Sequence, residues 1–172
     1  MVRDLNNLPI YAVDMPIVVV KTAIRAPIER CFDLARNVDV HVQSTARTKE
    51  RAVGGVTHGL MELGQEVTWE ATHFGIRQRL TSRITAYDRP RSFRDSQVRG
   101  AFLRFDHDHL FSCMDGLTTM TDVFDYTPPW RWLGRVADRL FLEQYMQRFL
   151  TERQKVIKSI AEEVNPSTLR QV

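Results

Sequence analysis

Residues 102–126 read FLRFDHDHLFSCMDGLTTMTDVFDY, two alternating runs on either side of Asp115-Gly116. Asp-Gly between such runs is a strong hairpin signal, because both residues tolerate the positive φ of a two-residue turn. With Met114 paired to Leu117, His109 falls opposite Asp122, His107 opposite Phe124, Phe111 opposite Met120 and Phe105 opposite Tyr126. Period-two alternation puts these eight side chains on one face, together with Leu103 and Cys113. That face is mostly apolar and is expected to point inward. Arg104, Asp106, Asp108 and Asp125 occupy the other face, which suits water. A slip of one residue would reverse every assignment.

Upstream of this hairpin the chain alternates between strand and turn signals. Ile17 to Arg25 is rich in β-branched residues and predicts a strand. Pro27 suits a first helical turn with Glu29 behind it, and Ile28, Cys31, Phe32 and Ala35 fall at helical spacing. A second short helix is expected over Val38 to Ser44. Strand character follows at Glu50–Val53, Gln65–Phe74, Arg77–Tyr87 and Ser92–Val98. Gly75-Ile76 is expected as a two-residue turn, which sets Thr72 opposite Arg79 and Thr68 opposite Arg83. Glu70 then lies diagonal to both arginines, and ordinary surface ion pairs are expected there.

Downstream, Thr127-Pro128-Pro129 ends the hairpin and Trp130 to about Val164 predicts one long amphipathic helix. Leu133, Val136, Ala137, Leu140, Phe141, Tyr145, Phe149, Val156, Ile157 and Ile160 recur along it at helical spacing. Strands and helices are thus segregated along the chain, the pattern of an α+β fold. The long helix is the element large enough to cover the apolar face of the sheet. Residues 1–15 are expected to form an arm, residues 16–164 one domain, and residues 165–172 a tail.

At 172 residues, 43% hydrophobic and 26% charged, the chain is long enough to bury a core without cross-links. Its net charge of +3 is mild and its basic residues are dispersed, so nucleic acid is not an expected partner. The two cysteines, Cys31 and Cys113, share no metal-binding or redox spacing and are expected to be buried small hydrophobes. The first fourteen residues lack a signal-peptide pattern, and no apolar run approaches the ~20 residues of a membrane helix. A cytoplasmic monomer or homodimer is expected.

The order of elements, with SFRDSQVRGAF at 92–102, FDHDHLF at 105–111 and TDVFDYTP at 121–128, resembles the START-like (SRPBCC, helix-grip) superfamily. The likeness runs from about Pro16 to Glu163. It is nearest to a bacterial, polyketide cyclase/dehydrase-like subgroup with a G-P-F…W-x-H-x-H-x-F…T-D-x-x-x-Y-x-x-P pattern. Here Ala101 stands for the usual Pro and Phe105 for the usual Trp. The resemblance implies a curved antiparallel sheet gripping the C-terminal helix, with a cavity between them for a lipid-, isoprenoid- or polyketide-like molecule. Fold alone does not settle function.

His107, His109 and Asp122 on an apolar face need a physical account, because a buried carboxylate is costly unless paired. Asp122 and His109 could satisfy one another and fix strand register. They could instead supply, with Tyr126, the few polar groups of an apolar pocket. As a third possibility, His109 oriented by Asp122 could act as a general base, with Tyr126 as acid, in a cyclase or dehydratase. A metal held by His107, His109 and Asp122, with His73 joining if its strand curls over, is the least favoured, and no metal is expected. Nor is a cofactor expected; and with no phosphate loop, nucleophile elbow or HExxH motif present, nucleotide enzymes, α/β-hydrolases and zincin proteases are poor candidates. The expected ligand contacts are Trp69, Phe105, His107, His109, Phe111, Met120, Asp122, Phe124, Tyr126, Phe141 and Tyr145. Plain core is the firmer reading for Trp69 and for Phe141, Tyr145 and Phe149 of the last helix, though some of the helix positions could line the cavity wall. Trp130 and Trp132 could sit at a pocket mouth. A small hydrophobic molecule is the expected partner, with an interaction domain whose interior is merely packed as a further possibility.

Overall fold

The computed structural model describes residues 16–128 and 141–163. The expected arm, tail, first turns of the long helix, Trp130 and Trp132 lie outside the described residues. Within them the order is β1 (Ile17–Ile24), α1 (Ile28–Ala35), α2 (Val38–Ser44), a 3-10 turn (Ala46–Thr48), β2 (Arg51–Gly55), β3 (Glu66–His73), β4 (Ile76–Asp88), β5 (Ser92–Arg99), β6 (Arg104–Met114), β7 (Leu117–Thr127) and α3 (Glu143–Glu162). This is the expected α+β arrangement. Asn37 starts α2 by accepting hydrogen bonds from the backbone of Asp39 and Val40, which supplies partners for two otherwise free helix donors.

The strands form one antiparallel sheet of seven, in the order β1-β7-β6-β5-β4-β3-β2. β1 and β2 are its open edges, so the sheet curves without closing. The β6–β7 register is the one expected, with Met114 opposite Leu117 and His109 opposite Asp122. Asp115 and Gly116 both take positive φ, as the turn requires.

The β3–β4 turn differs from expectation. Phe74 and Gly75, rather than Gly75 and Ile76, are its central residues, and both have positive φ. His73 therefore faces Ile76, Glu70 faces Arg79 and Glu66 faces Arg83. The shift is two residues, so every side chain keeps its face while the partners change. Glu70 is held between Arg51 and Arg79, at 2.6 and 3.0 Å, with Arg77 at 3.9 Å.

α3 lies across the concave face and is tied to edge strand β1. Thr22 donates to Gln154 at 2.6 Å, Gln154 donates to the Val20 carbonyl, and Lys158 donates to the Ala23 carbonyl. Its buried side chains are Met146, Leu150, Arg153, Gln154, Ile157 and Ala161. The stripe is rotated from the expected one: Phe141 is exposed, while Tyr145, Phe149, Val156 and Ile160 flank the buried row. Arg153 Nη2 and the Gln154 amide donate to buried carbonyls, of Ala35 and Val20, so apolarity alone does not mark the inward side. Cys31 is buried as expected, but Cys113 is exposed. The β5–β6 register ends at Leu110, one further hydrogen bond runs from Phe111 N–H to the Arg91 carbonyl, and the hairpin tip extends past the end of β5. Leu103, just before β6, is also exposed. Among the described residues no helix is long and apolar enough to cross a membrane.

Candidate functional site

A cavity of about 640 Å³ lies between the concave face of the sheet and α3, within the range that encloses drug-sized molecules. Of the expected ligand contacts, Trp69, Phe105, His107, His109, Phe124, Phe141 and Tyr145 stand on its wall. Phe111, Met120, Asp122 and Tyr126 do not. Phe111 packs edge-on against Phe32 of α1, and Met120 is sealed in the same cluster. Tyr126 packs against Phe102, and Asp122 lies behind His109. One face of one hairpin thus divides between solid core under α1 and cavity wall under α3.

The histidines and most of the charged groups of the wall gather in two places, and Arg36, Asn37, Gln78 and Ser82 line it as well. At the first, His109 bridges two carboxylates. Its Nδ1 lies 2.8 Å from Asp122 Oδ1 and its Nε2 lies 3.0 Å from Asp95 Oδ1. Both acceptors are carboxylates, so both ring nitrogens donate and the ring is an imidazolium. Burial works against that charge, but Asp122 and Asp95 outweigh it and hold His109 above its ordinary pKa. Burial would raise both acids, yet His109 keeps Asp95 and Asp122 below the usual carboxylate range. Arg153 reaches down from α3 to place Nη1 3.6 Å from Asp122 Oδ2, while its Nη2 donates to the Ala35 carbonyl. Two carboxylates, one imidazolium and one guanidinium make the cluster neutral overall.

His107 is held more loosely than His109. It lies 3.7 Å from Asp95 and 3.7 Å from Asp122, beyond hydrogen-bond reach, and its Nε2 is buried without a partner. Asp122 Oδ2 and Arg153 Nε and Nη1 are likewise buried without a hydrogen bond. Burial first, and then the charge on His109, push the pKa of His107 down to about 3, so the ring is neutral. Phe93 stacks on His109 with centroids 4.2 Å apart, and the His107 ring sits 3.9 Å from that of His109.

The second place is formed by α2, β3 and α3 with the residue before β2. Glu50 Oε2 lies 3.2 Å from His41 Nε2, and the His41 ring stacks on Trp69 at 4.1 Å. Burial would raise Glu50, but His41 and then His73 hold it below the usual range. His73 Nδ1 and Tyr145 Oη are 2.5 Å apart, and burial lowers the one pKa and raises the other. All five side chains stand on the cavity wall.

Asp95, Arg153, His41 and Glu50 are absent from the sequence-based set. Asp95 carried a signal, since it follows Phe93 by two in a strand and so shares the inward face. Arg153 carried one too, three residues after Leu150 on the helix. His41 and Glu50 had none, because a helix and a strand start meet only through the fold.

No family model matches the chain, and no curated protein matches it in sequence. Solved structures do match in shape. A protein from Thermus thermophilus superposes with a TM-score of 0.70 at 18% identity, over 84% of this chain and 95% of that one. The Zhui aromatase/cyclase from a Streptomyces species superposes with a TM-score of 0.69 at 16% identity, over 86% and 94%. Ginseng major latex-like protein 151 from Panax ginseng gives 0.64 at 15% identity, over 86% and 97%. The seven-stranded curved sheet, the long C-terminal helix and these neighbours agree: the chain has the helix-grip fold that the sequence resemblance implied.

Proposed function

We propose that this protein binds a small, mainly apolar molecule in the cavity between the sheet and α3. The observation that carries this is the cavity itself: about 640 Å³, walled largely by apolar and aromatic side chains, with its histidines and most of its charged groups gathered in two places. A packed interaction domain has no use for such a space. The ligand that fits is lipid-, isoprenoid- or polyketide-like, with one polar function for Asp95, His107 and His109 and another for Glu50, His73 and Tyr145.

A cyclase or dehydratase with His109 as base and Asp122 as its orienting partner fits less well. Both nitrogens of His109 already donate to carboxylates, so the ring has no lone pair with which to take a proton. Tyr126, the expected acid, is fully buried and off the cavity wall.

Native mass spectrometry of the purified protein, followed by denaturing extraction, tests the binding function. A stoichiometric apolar adduct is expected, and it should be lost when Ala71→Phe fills the wall while the circular dichroism of the fold is retained. A bare mass, together with no uptake of a long-chain fatty acid or an anilinonaphthalene sulfonate probe, would sink the proposal.

A further inference from the structure

We propose that Asp95, His107 and His109 form a binding site for one divalent transition-metal ion, open towards the cavity. One donor atom from each of the three lies within 4.8 Å of the others. Asp95 Oδ1 is 3.0 Å from His109 Nε2 and 3.7 Å from His107 Nδ1. Zinc bonds of 2.0–2.2 Å at tetrahedral angles separate ligand atoms by about 3.4 Å, so these spacings bracket the value a shared ion needs. Two imidazoles and a carboxylate are donors suited to zinc, iron, cobalt or nickel rather than to calcium or magnesium.

Two further observations point to an ion and not merely to an ion-pair network. His107 is only 7% exposed, stands on the cavity wall, and reaches neither neighbouring carboxylate within hydrogen-bond distance. An ion shared with Asp95 and His109 gives Nδ1 of that ring a partner and leaves Nε2, 3.7 Å from Asp122 Oδ1, to carry the proton on the Asp122 side. Asp122, meanwhile, holds His109 Nδ1 at 2.8 Å and so directs Nε2 towards Asp95. A carboxylate behind a ligating histidine is the usual means of fixing the tautomer and ring angle of a metal ligand. In the structure the gap between His109 Nε2 and Asp95 Oδ1 is closed by a proton, and the ion would take that proton's place.

The strand geometry makes the site rigid. His107 and His109 are two apart on β6, and Asp95 is the cross-strand partner of His107 on β5. Three protein ligands leave a fourth position facing the cavity, the arrangement of a metal that meets a ligand or a water. With Asp95, Asp122 and Arg153, a divalent ion brings the cluster to a net +1, which favours an anionic oxygen in that position. The site therefore sharpens the ligand proposed above towards an apolar molecule carrying a carboxylate, enolate or similar oxygen donor. This preference rests on the cavity being a ligand site; the ion does not.

The test is titration of the chelator-treated full chain with zinc and, separately, cobalt. Bound metal is counted by elemental mass spectrometry, and cobalt is read by its visible absorption. One ion per chain at low micromolar concentration is expected, with the cobalt bands of a site containing imidazole. Asp95→Asn and His107→Gln, each close in shape to the native residue, should remove binding while circular dichroism shows a folded chain. Asp122→Asn should weaken it by about 10–100-fold through His109. A His58→Gln/Cys113→Ser double variant should bind as wild type does, since those two exposed side chains lie outside the cluster. Less than a tenth of an equivalent bound at 100 µM zinc overturns the proposal, as does undiminished binding by Asp95→Asn and His107→Gln. Metal uptake by a protein with no apolar ligand would leave this site standing and remove the binding function, and the reverse result would do the opposite.

Discussion

The two faces of the β6–β7 hairpin carry the same kinds of residue and put them to different use. Outside, Arg94 forks onto Asp108 at 2.7 Å for both bonds, and Arg104 reaches Asp125 at 2.7 Å and Asp106 at 3.1 Å. Asp106 and Asp125 face one another directly across the strands, so Arg104 offsets a repulsion as well as forming a bond. These side chains keep about a third of their surface in water, which screens each pair. Inside, His109, Asp122 and Arg153 are buried and Asp95 keeps only a fifth of its side chain exposed, so water screens them less and each charge depends on its neighbours. Position, not residue type, turns a common cross-strand pair into a coupled cluster on a cavity wall.

The largest effect should come from breaking the inner pairing. Asp122→Ala leaves His109 and Arg153 as buried cations without their shared carboxylate, at a cost of about 3–5 kcal/mol in denaturant unfolding. A cost below about 1 kcal/mol would mean that the inner cluster is no more coupled than the outer ladder.

The pH dependence should show the next largest effect. His107 in the unfolded chain takes a proton near its ordinary 6.5, whereas in the fold it does so only at about 3. Protons therefore favour the unfolded chain across that interval, and stability falls as pH drops through it. His73 is also lowered and acts in the same direction. Asp122, held low, adds its own loss only as pH falls below its ordinary value of 3.8. His109, held high, contributes stability that is complete below 6.5 and lost as pH rises through its elevated pKa. Urea midpoints of wild type should thus fall between pH 6.5 and about 4.5, and His107→Gln should flatten, without abolishing, that slope. An unchanged slope would show that His107 is protonated in the fold.

The outer ladder should give the smallest effect. Arg94→Ala is expected to cost about 0.2–1 kcal/mol. Because salt at 1 M shortens the screening length to about 3 Å, most of that difference should vanish there. A larger, salt-insensitive cost would erase the contrast between the faces.

Much of the fold was legible from local chemistry. Asp115-Gly116 imposes a positive-φ turn, the turn sets the register, and the register sets which side chains share a face; the structure keeps all four cross-strand pairs read from it. The β3–β4 turn was less legible because Phe74 adopts a positive φ that its side chain does not advertise. Within the site, His109 and Asp122 were found as neighbours from sequence, yet Asp95 was not. The connection from β5 to β6 is no two-residue turn: it runs from Gly100 to Leu103, and the Gln97 side chain closes it on both the N–H and the carbonyl of Phe102. No local rule fixes a register across such a loop.

What the sequence by itself determined is the set of relations between residues close along the chain: the hairpin and its inward face, the short helices, and the amphipathic helix at the end. These follow from backbone sterics and periodicity, which act over a few residues. Only the tertiary structure decided where the inward face becomes core and where it becomes cavity. It alone brought Asp95 to His109, Arg153 to Asp122, and Glu50 to His41. The reason is that sheet curvature and the seating of α3 on β1 are set by packing summed over the whole chain, and a buried charge finds its partner only once that packing is complete.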